Sequence, residues 1–350
     1  MVVSVAATTV PASLLMRRIG RKAGFTLASL SAAVAVLLAT FALYAVSFGW
    51  FIAAAALFGI NMAFTQQYRY AAAESVAQRY AARAISLVLL GAIGGALVGP
   101  ELVTRSSDWI AGVPYAGALV ALAVLYGIQA VLFVLMRPLA ADVHDDGTAD
   151  ARPLREIITQ PLFLVAVLGG TSAYGVMTLI MTATPLSMHI NDGYSLAETA
   201  NVIRSHVIGM YLPSLVSGFL IERFGTVKLM SVGALGLIAA CIIGLQGQSM
   251  MHYWFALVLL GVGWNFLYVG GTTMLTFTYS MNERFRAQAV NEFSVFGTSA
   301  TASLLAGTVI HLYGWYTLVL VPLPLLVLAL AGLFAVRRDP LIQRAMAQAA

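Results

Sequence analysis

Charge is what this chain has least of. Only 9% of its 350 residues are Asp, Glu, Lys or Arg, against about 25% in an ordinary soluble domain. Since 60% are hydrophobic, the composition excludes a soluble globular fold and marks an integral membrane protein. There is one cysteine, Cys241, inside an apolar run, which excludes an intrachain disulfide and a thiolate metal site. The five histidines, at 144, 189, 206, 252 and 311, are scattered, and no H-E-x-x-H accompanies them. A G-x-x-x-x-G-K-[ST] phosphate loop is absent too, which disfavours ATP-driven transport by this chain. With no convergent acid, base or metal cluster, the reading is not an enzyme and names no cofactor. No basic stretch followed by a short apolar core and cleavage site opens the sequence, so a removable signal peptide is not expected.

What the chain has is apolar length. Taking the ~20 residues that cross hydrocarbon as the measure, the runs place eleven spans, at 1–16, 24–46, 50–69, 84–104, 112–136, 161–188, 199–221, 229–247, 253–279, 289–311 and 315–336. These runs exceed the 9–11 alternating residues, roughly, of a barrel strand, so an all-α helical bundle is expected. Five spans form an N-terminal half, 1–136, and six a C-terminal half, 161–336. Between them lies a polar linker, 137–160, with Asp142, His144, Asp145, Asp146 and Asp150; a tail, 337–350, follows.

Seventeen of the 19 Lys and Arg fall on one side of this topology, leaving Arg105 and Arg204. By the positive-inside rule that side, with the C-terminus, is cytoplasmic in a bacterial inner membrane. The net charge of +5 therefore reads as a topology signal and not as a nucleic-acid footprint. Expected partners are the bilayer, a small-molecule substrate and protons as a candidate coupling ion, with the chain a monomer.

The halves repeat. GFLIERFGTVK (Gly218 to Lys228) reads as Gly-x-x-x-acid-Arg-x-Gly-x-x-base, and a weaker copy, SLLMRRIGRK, runs from Ser13 to Lys22. Gly225 follows Gly20 by 225 − 20 = 205 residues. RFRAQAV (Arg284 to Val290) answers to RYAARAI (Arg79 to Ile85) at the same offset, and GWNFLY (Gly263 to Tyr268) to GINMAF (Gly59 to Phe64) at 204. Halves of like orientation form a parallel repeat about an axis along the membrane normal. Under that symmetry the first half is one helix short, and the missing helix would precede Met1.

The turn motif, the long central loop and the similar halves resemble the major facilitator superfamily over nearly the whole chain, as family helices two to twelve. The resemblance implies a transporter whose halves rock about a central cavity, lined here mainly by the spans at 50–69, 161–188 and 253–279. It also implies a secondary active mechanism, driven by a proton or solute gradient. Two departures stand in the first motif: Ser13 where glycine is usual and Arg17 where the acid is expected. The expectation is that the start site is misassigned, with a transport-dead, truncated binding or sensor protein as the alternative.

RYAAAES (Arg69 to Ser75), AISLVLLGAIGGALVGPEL (Ala84 to Leu102), GWNFLYVGGTT (Gly263 to Thr273) and NEFSVFG (Asn291 to Gly297) resemble a group of bacterial facilitators, some relatives of which carry riboflavin. A flavin is thus one candidate substrate. GALVGP (Gly95 to Pro100) resembles part of the fifth-helix signature of drug/proton antiporters, but Glu101 to Thr104 stand where its glycine pair would follow.

Candidate residues follow from these patterns. Asn61, Thr65 and Tyr68, and Asn265, Tyr268 and Thr272, form polar stripes at helical spacing that are expected to face the cavity or a neighbouring helix. Trp264 and Tyr268 offer rings to a planar ligand, with space-filling as the bland reading; Gln66, Gln67 and Tyr174 join the cavity set. Arg18, Gly20, Arg21, Gly218, Glu222, Arg223, Gly225 and Lys228 form the expected cytoplasmic gate, in which Gly225 supplies a positive φ and Glu222 pairs with a base or caps backbone N–H groups. Glu292 is the first coupling candidate, set against a structural ion pair with an arginine such as Arg284 or Arg79. Arg204 and Glu101, near the outer ends, are the other two coupling candidates; Arg204 could meet an anionic substrate, with snorkelling to the headgroups as the bland reading. Gly91, Gly95 and Gly99 predict a small-residue packing face, and Pro100, Pro185 and Pro213 predict bends.

Overall fold

The computed structural model describes residues 1–137 and 151–343; Asp142, His144, Asp145, Asp146, Asp150 and Arg344 lie outside them. The described residues are helical throughout, with no strand. In chain order they form α1 (Val2–Tyr44), α2 (Phe48–Thr65), α3 (Tyr68–Glu74), α4 (Ala81–Ser106), α5 (Ala116–Leu135), α6 (Leu154–Ile158), α7 (Pro161–Pro185), α8 (Leu196–Tyr211), α9 (Ser214–Phe224), α10 (Thr226–Gln246), α11 (Met250–Leu275), α12 (Arg284–Leu320) and α13 (Leu323–Val336). A 3-10 turn, Gln78–Tyr80, precedes α4, and a π turn, Leu186–Asn191, follows Pro185.

Nine helical stretches among the described residues are long and apolar enough to cross a membrane. Two of them are too long for one crossing: Val2–Tyr44 has 43 residues and Arg284–Val336 has 53, where about 20 suffice. Each is broken by a glycine outside helical space, Gly20 at φ 79° and Gly314 at φ 75°. Counting those two twice gives the eleven spans expected from hydropathy. Gly225, 205 residues after Gly20, closes α9 at φ 89°, so both copies of the turn motif end their helix by the same backbone device. Pro213 interrupts the chain between α8 and α9, and Pro185 stands where α7 passes into the π turn.

Two compact units are formed, each taking a short segment from the other half of the sequence. The first comprises Met1–Ala71, Gly91–Ala151 and Met281–Phe293; the second comprises Ala72–Leu90, Arg152–Ser280 and Ser294–Ala350. Within the first, α1 packs on α2 and α5; within the second, α11 packs on α7, α8 and α10. Without a hydrophobic driving force between helices in lipid, close approach depends on small residues. The α10–α11 contact shows this directly: a Cβ on Gly233 would lie 2.8 Å from the Gly263 carbonyl oxygen, and one on Gly263 would lie 2.8 Å from that of Gly233.

The glycine face predicted on α4 does not behave this way. A Cβ added to Gly91, Gly95 or Gly99 meets nothing within 4 Å among the described residues, so the packing expected of them is corrected: spacing of small residues marks a smooth surface, not a partner for it. The two classes of glycine separate experimentally. Gly233→Val or Gly263→Val is expected to lower the thermal midpoint of the detergent-purified protein by several degrees, an overpacking cost of about 1–3 kcal/mol, while Gly95→Ala leaves the midpoint where it was.

Candidate functional site

Polar side chains in apolar helices need partners. In the first unit, Asn61 Nδ2 donates to the Ala28 carbonyl at 2.8 Å, joining α2 to α1, and Thr65 Oγ1 turns back to the Asn61 carbonyl at 3.2 Å. In the second unit, Asn265 Nδ2 donates to both the Met210 carbonyl and Ser214 Oγ, each at 2.7 Å. These acceptors flank Pro213, so the amide bridges α11 to the place where the α8–α9 ladder is interrupted. Both matched asparagines therefore tie helices together, though to non-equivalent neighbours. Asn265 Oδ1 keeps no partner among the described residues.

Around Trp264 the aromatic side chains converge. Trp264 and Tyr268 are stacked at 4.9 Å, and Tyr174 meets them edge-on at 5.3 and 4.9 Å. Phe296, 5.0 Å from Tyr174, and Tyr211, 5.8 Å from Trp264, complete the group. Trp264 is fully buried, yet its Nε1–H has no acceptor among the described residues. Thr272, one turn beyond Tyr268, is buried as well. The sequence pattern selects Tyr174, Trp264 and Tyr268 and misses Tyr211 and Phe296, although Phe296 lies within the NEFSVFG segment.

Tyr68 belongs to the first unit: its hydroxyl accepts from Gln129 Nε2 at 2.8 Å, and its ring meets Phe25 at 4.7 Å and Phe133 at 5.4 Å. Gln66 accepts from Arg69 through its carbonyl and Oε1, at 2.9 and 3.0 Å, and Gln67 donates to Ser13 Oγ at 3.1 Å.

The charged residues of the motif make two different networks. In the second unit Arg83 forms a salt bridge with Glu222, and its guanidinium lies 4.2 Å over the Phe219 ring. Ser86 and Ser217 hydrogen-bond beside it at 3.1 Å. Gly218 makes this seat possible, because a Cβ there would stand 2.8 Å from Arg83 Cα. Below the pair, Ala82, Ile85, Ile221, Leu229 and Val269 form a buried apolar floor. Arg223 is exposed, its guanidinium 5.7 Å from the Phe224 ring, and Lys228 is exposed on α10.

At the equivalent places in the first unit the residues are Arg17 for Glu222 and Gln288 for Arg83. Those two residues do not make an acid and a base, and the buried Arg21 donates to Gln288 Oε1 at 3.0 Å and lies 5.0 Å over Phe285. The ion pair has moved to Arg69 and Glu292, both buried. Tyr70 Oη and Asn291 Nδ2 also donate to Glu292 Oε1, at 2.8 and 2.9 Å. The ion-pair alternative for Glu292 thus has Arg69 as its base, in place of Arg284 or Arg79. Arg284 donates to the Met281 carbonyl at 2.7 Å and lies over Phe285.

Of the remaining candidates, Arg18 and Arg204 are exposed, and Glu101 Oε1 pairs with Arg105 Nε at 2.5 Å on the surface. Another network, which no sequence motif announces, closes the far end of α11. Tyr253 Oη donates to Asp192 Oδ2 at 2.6 Å, and Gln248 Nε2 donates to both oxygens of that carboxylate at 3.2 Å.

Removing one member of a buried ion pair leaves the other charge uncompensated. Glu292→Leu alone should therefore destabilise by about 3 kcal/mol or more, read as a large loss of thermal midpoint, and Arg69→Leu with Glu292→Leu should recover most of it. Near-additive losses in the double variant would contradict a direct pair.

A family profile described as the Major Facilitator Superfamily matches residues 1–210 and, in a second overlapping match, 174–347. The riboflavin transporter RfnT of Brucella anthropi is 38% identical over 331 residues, covering 93% of this chain and 82% of that protein. Among solved structures, the proton:xylose symporter XylE bound to 6-bromo-6-deoxy-D-glucose aligns with a TM-score of 0.77 at 12% identity, over 100% of this chain and 87% of its own. The transporter FucP in the outward conformation aligns at 0.74 and 16%, over 94% and 86%. At those identities the structural likeness speaks for the fold alone, and the profile and the relative carry the assignment. By that profile and that relative, the chain belongs to the major facilitator superfamily of membrane transporters.

Proposed function

We propose that this transporter moves a planar, aromatic solute, with riboflavin the first to be tried, across the bacterial inner membrane by alternating access. The observation that carries the reading is the stacked Trp264–Tyr268 pair with Tyr174 against it, in which the buried Trp264 Nε1–H has no partner among the described residues. Binding sites are mostly apolar and aromatic, with a few polar groups that fix orientation. The name of the 38% identical relative supports the choice of flavin.

The basic ends of the helices are assigned to the cytoplasm, with the C-terminus, on the distribution of Lys and Arg. On that side the pairs Arg83–Glu222 and Arg69–Glu292 act as latches, each joining residues from the two sequence halves within one unit. Gly20 and Gly225 set the turns, Gly218 admits Arg83, and Arg21 crosses to Gln288; Arg18, Arg223 and Lys228 are solvated members of the same loops. Glu292 links this to a proton gradient: protonation of its carboxyl would cancel the charge that holds Arg69 and so favour release of the latch. Arg204 remains as an exposed outer cation able to attract an anionic solute, and Glu101 is engaged by Arg105. The working unit is the monomer.

In vesicles reconstituted with the purified chain, labelled riboflavin should accumulate saturably, and Trp264→Ala or Tyr268→Ala should cut uptake by about tenfold, the loss of one stacked ring. Absence of accumulation, or uptake indifferent to both substitutions, would remove the flavin reading. Imposing a pH gradient tests the coupling: Glu292→Gln should abolish the pH-driven component and leave exchange at equal pH, whereas an unaltered pH response would take Glu292 out of the mechanism.

A further inference from the structure

Each unit has a cavity at the basic end of its helices, and the two are copies. The first, about 830 Å³, is lined by Ile19, Gly20, Lys22, Ala23, Thr26 and Leu27, with Arg17, Arg18 and the buried Arg284. The second, about 1080 Å³, is lined by Phe224, Gly225, Val227, Lys228, Ser231 and Val232, with Arg337 and Arg338. Position by position, the six residues of the second follow those of the first by 205. One cavity thus sits on each copy of the turn motif, at the start of the helix that follows.

Charge is kept in both, but not at the same positions. Lys22 answers to Val227 and Ala23 to Lys228, so the lysine has shifted by one residue. Arg17 answers to Glu222, which in the second unit is bound by Arg83, and the lost acid leaves a further cation at the first rim. Neither lining contains Asp or Glu, and Arg17, Arg18, Lys22, Lys228 and Arg338 have no acidic partner among the described residues. A packing requirement would preserve the residue at each position. What is preserved here is positive charge beside a given shape, and that is the signature of an anion held from outside the chain.

The walls say which kind of anion. Leu27 and Val232 are 51% and 53% exposed, and Val327 and Phe334 in the second cavity are 59% and 64% exposed. In a membrane-spanning chain such surface meets hydrocarbon and not water. Arg337 is held at the edge by its guanidinium, 3.4 Å from the centre of the Phe334 ring. A soluble phosphate would use the cations and leave the apolar wall idle. We propose that each cavity binds one anionic phospholipid of the leaflet at the basic ends, its headgroup phosphate among the Lys and Arg and an acyl chain along the apolar wall. In the first unit that phosphate supplies the negative charge which Glu222 supplies in the second. The inference is independent of the transported solute.

Native mass spectrometry of the detergent-purified full chain tests it, with dioleoylphosphatidylglycerol, dioleoylphosphatidylcholine and inorganic phosphate as probes. Two phosphatidylglycerols should be retained per chain, with phosphatidylcholine lost, each base contributing about fivefold to the preference. The Arg17→Gln, Arg18→Gln, Lys22→Gln variant should lose one lipid, and Lys228→Gln, Arg337→Gln, Arg338→Gln the other, while Arg17→Lys with Arg18→Lys keeps both. Equal retention of the two lipids, displacement by inorganic phosphate at millimolar concentration, or lipid counts indifferent to the glutamine variants would each overturn the proposal. The comparison of lipids on the unsubstituted chain decides even where a variant does not fold.

Discussion

A charge that leaves water must find a partner, and the pair Arg69–Glu292 meets that demand with 2% and 0% of the two side chains exposed. Two hundred and twenty-three residues separate them in sequence. Desolvating each costs several kcal/mol, so the arrangement holds only because Tyr70 and Asn291 add hydrogen bonds to the same carboxylate. The segment Met281–Phe293 is anchored in the first unit by this cluster together with the Arg21–Gln288 bond. Charge, the scarcest resource in the chain, has been placed where it joins distant parts of the sequence.

Duplication gave both halves the same turn, and the structure shows how they diverged. The second copy keeps an acid and binds it with Arg83 over an apolar floor. The first copy has exchanged both partners, for Arg17 and Gln288, and relies on a buried pair one helical stretch away. Pseudo-symmetry therefore survives in backbone geometry, in Gly20 and Gly225 alike, after it has been lost in electrostatics.

Hydropathy made the architecture legible because a bilayer imposes a length on every crossing, and glycine made the turns legible because few other residues adopt positive φ. Partner choice was harder to read. Arg21, Arg69 and Arg284 look in sequence like loop cations that set topology, yet all three are buried. Where a helix ends relative to its neighbour decides whether a basic residue is solvated or enclosed, and a single sequence does not encode that offset. The same limit explains the α4 glycines, whose spacing is right for a contact that is not there, and the asparagines, whose amides serve neighbouring helices through Ala28 and Met210. Tyr211 and Phe296 join the aromatic group from α8 and α12, and no stripe of polar residues at helical spacing singles them out.

The Asn265 side chain has one further consequence. Its nitrogen is fixed by two acceptors, one of them a backbone carbonyl that cannot donate, so the amide cannot turn over. The oxygen is thereby committed as an acceptor, while the neighbouring Trp264 ring nitrogen can act only as a donor. Successive positions of α11 thus carry two buried groups of opposite and unalterable polarity: whatever meets the oxygen must donate, and whatever meets the ring nitrogen must accept.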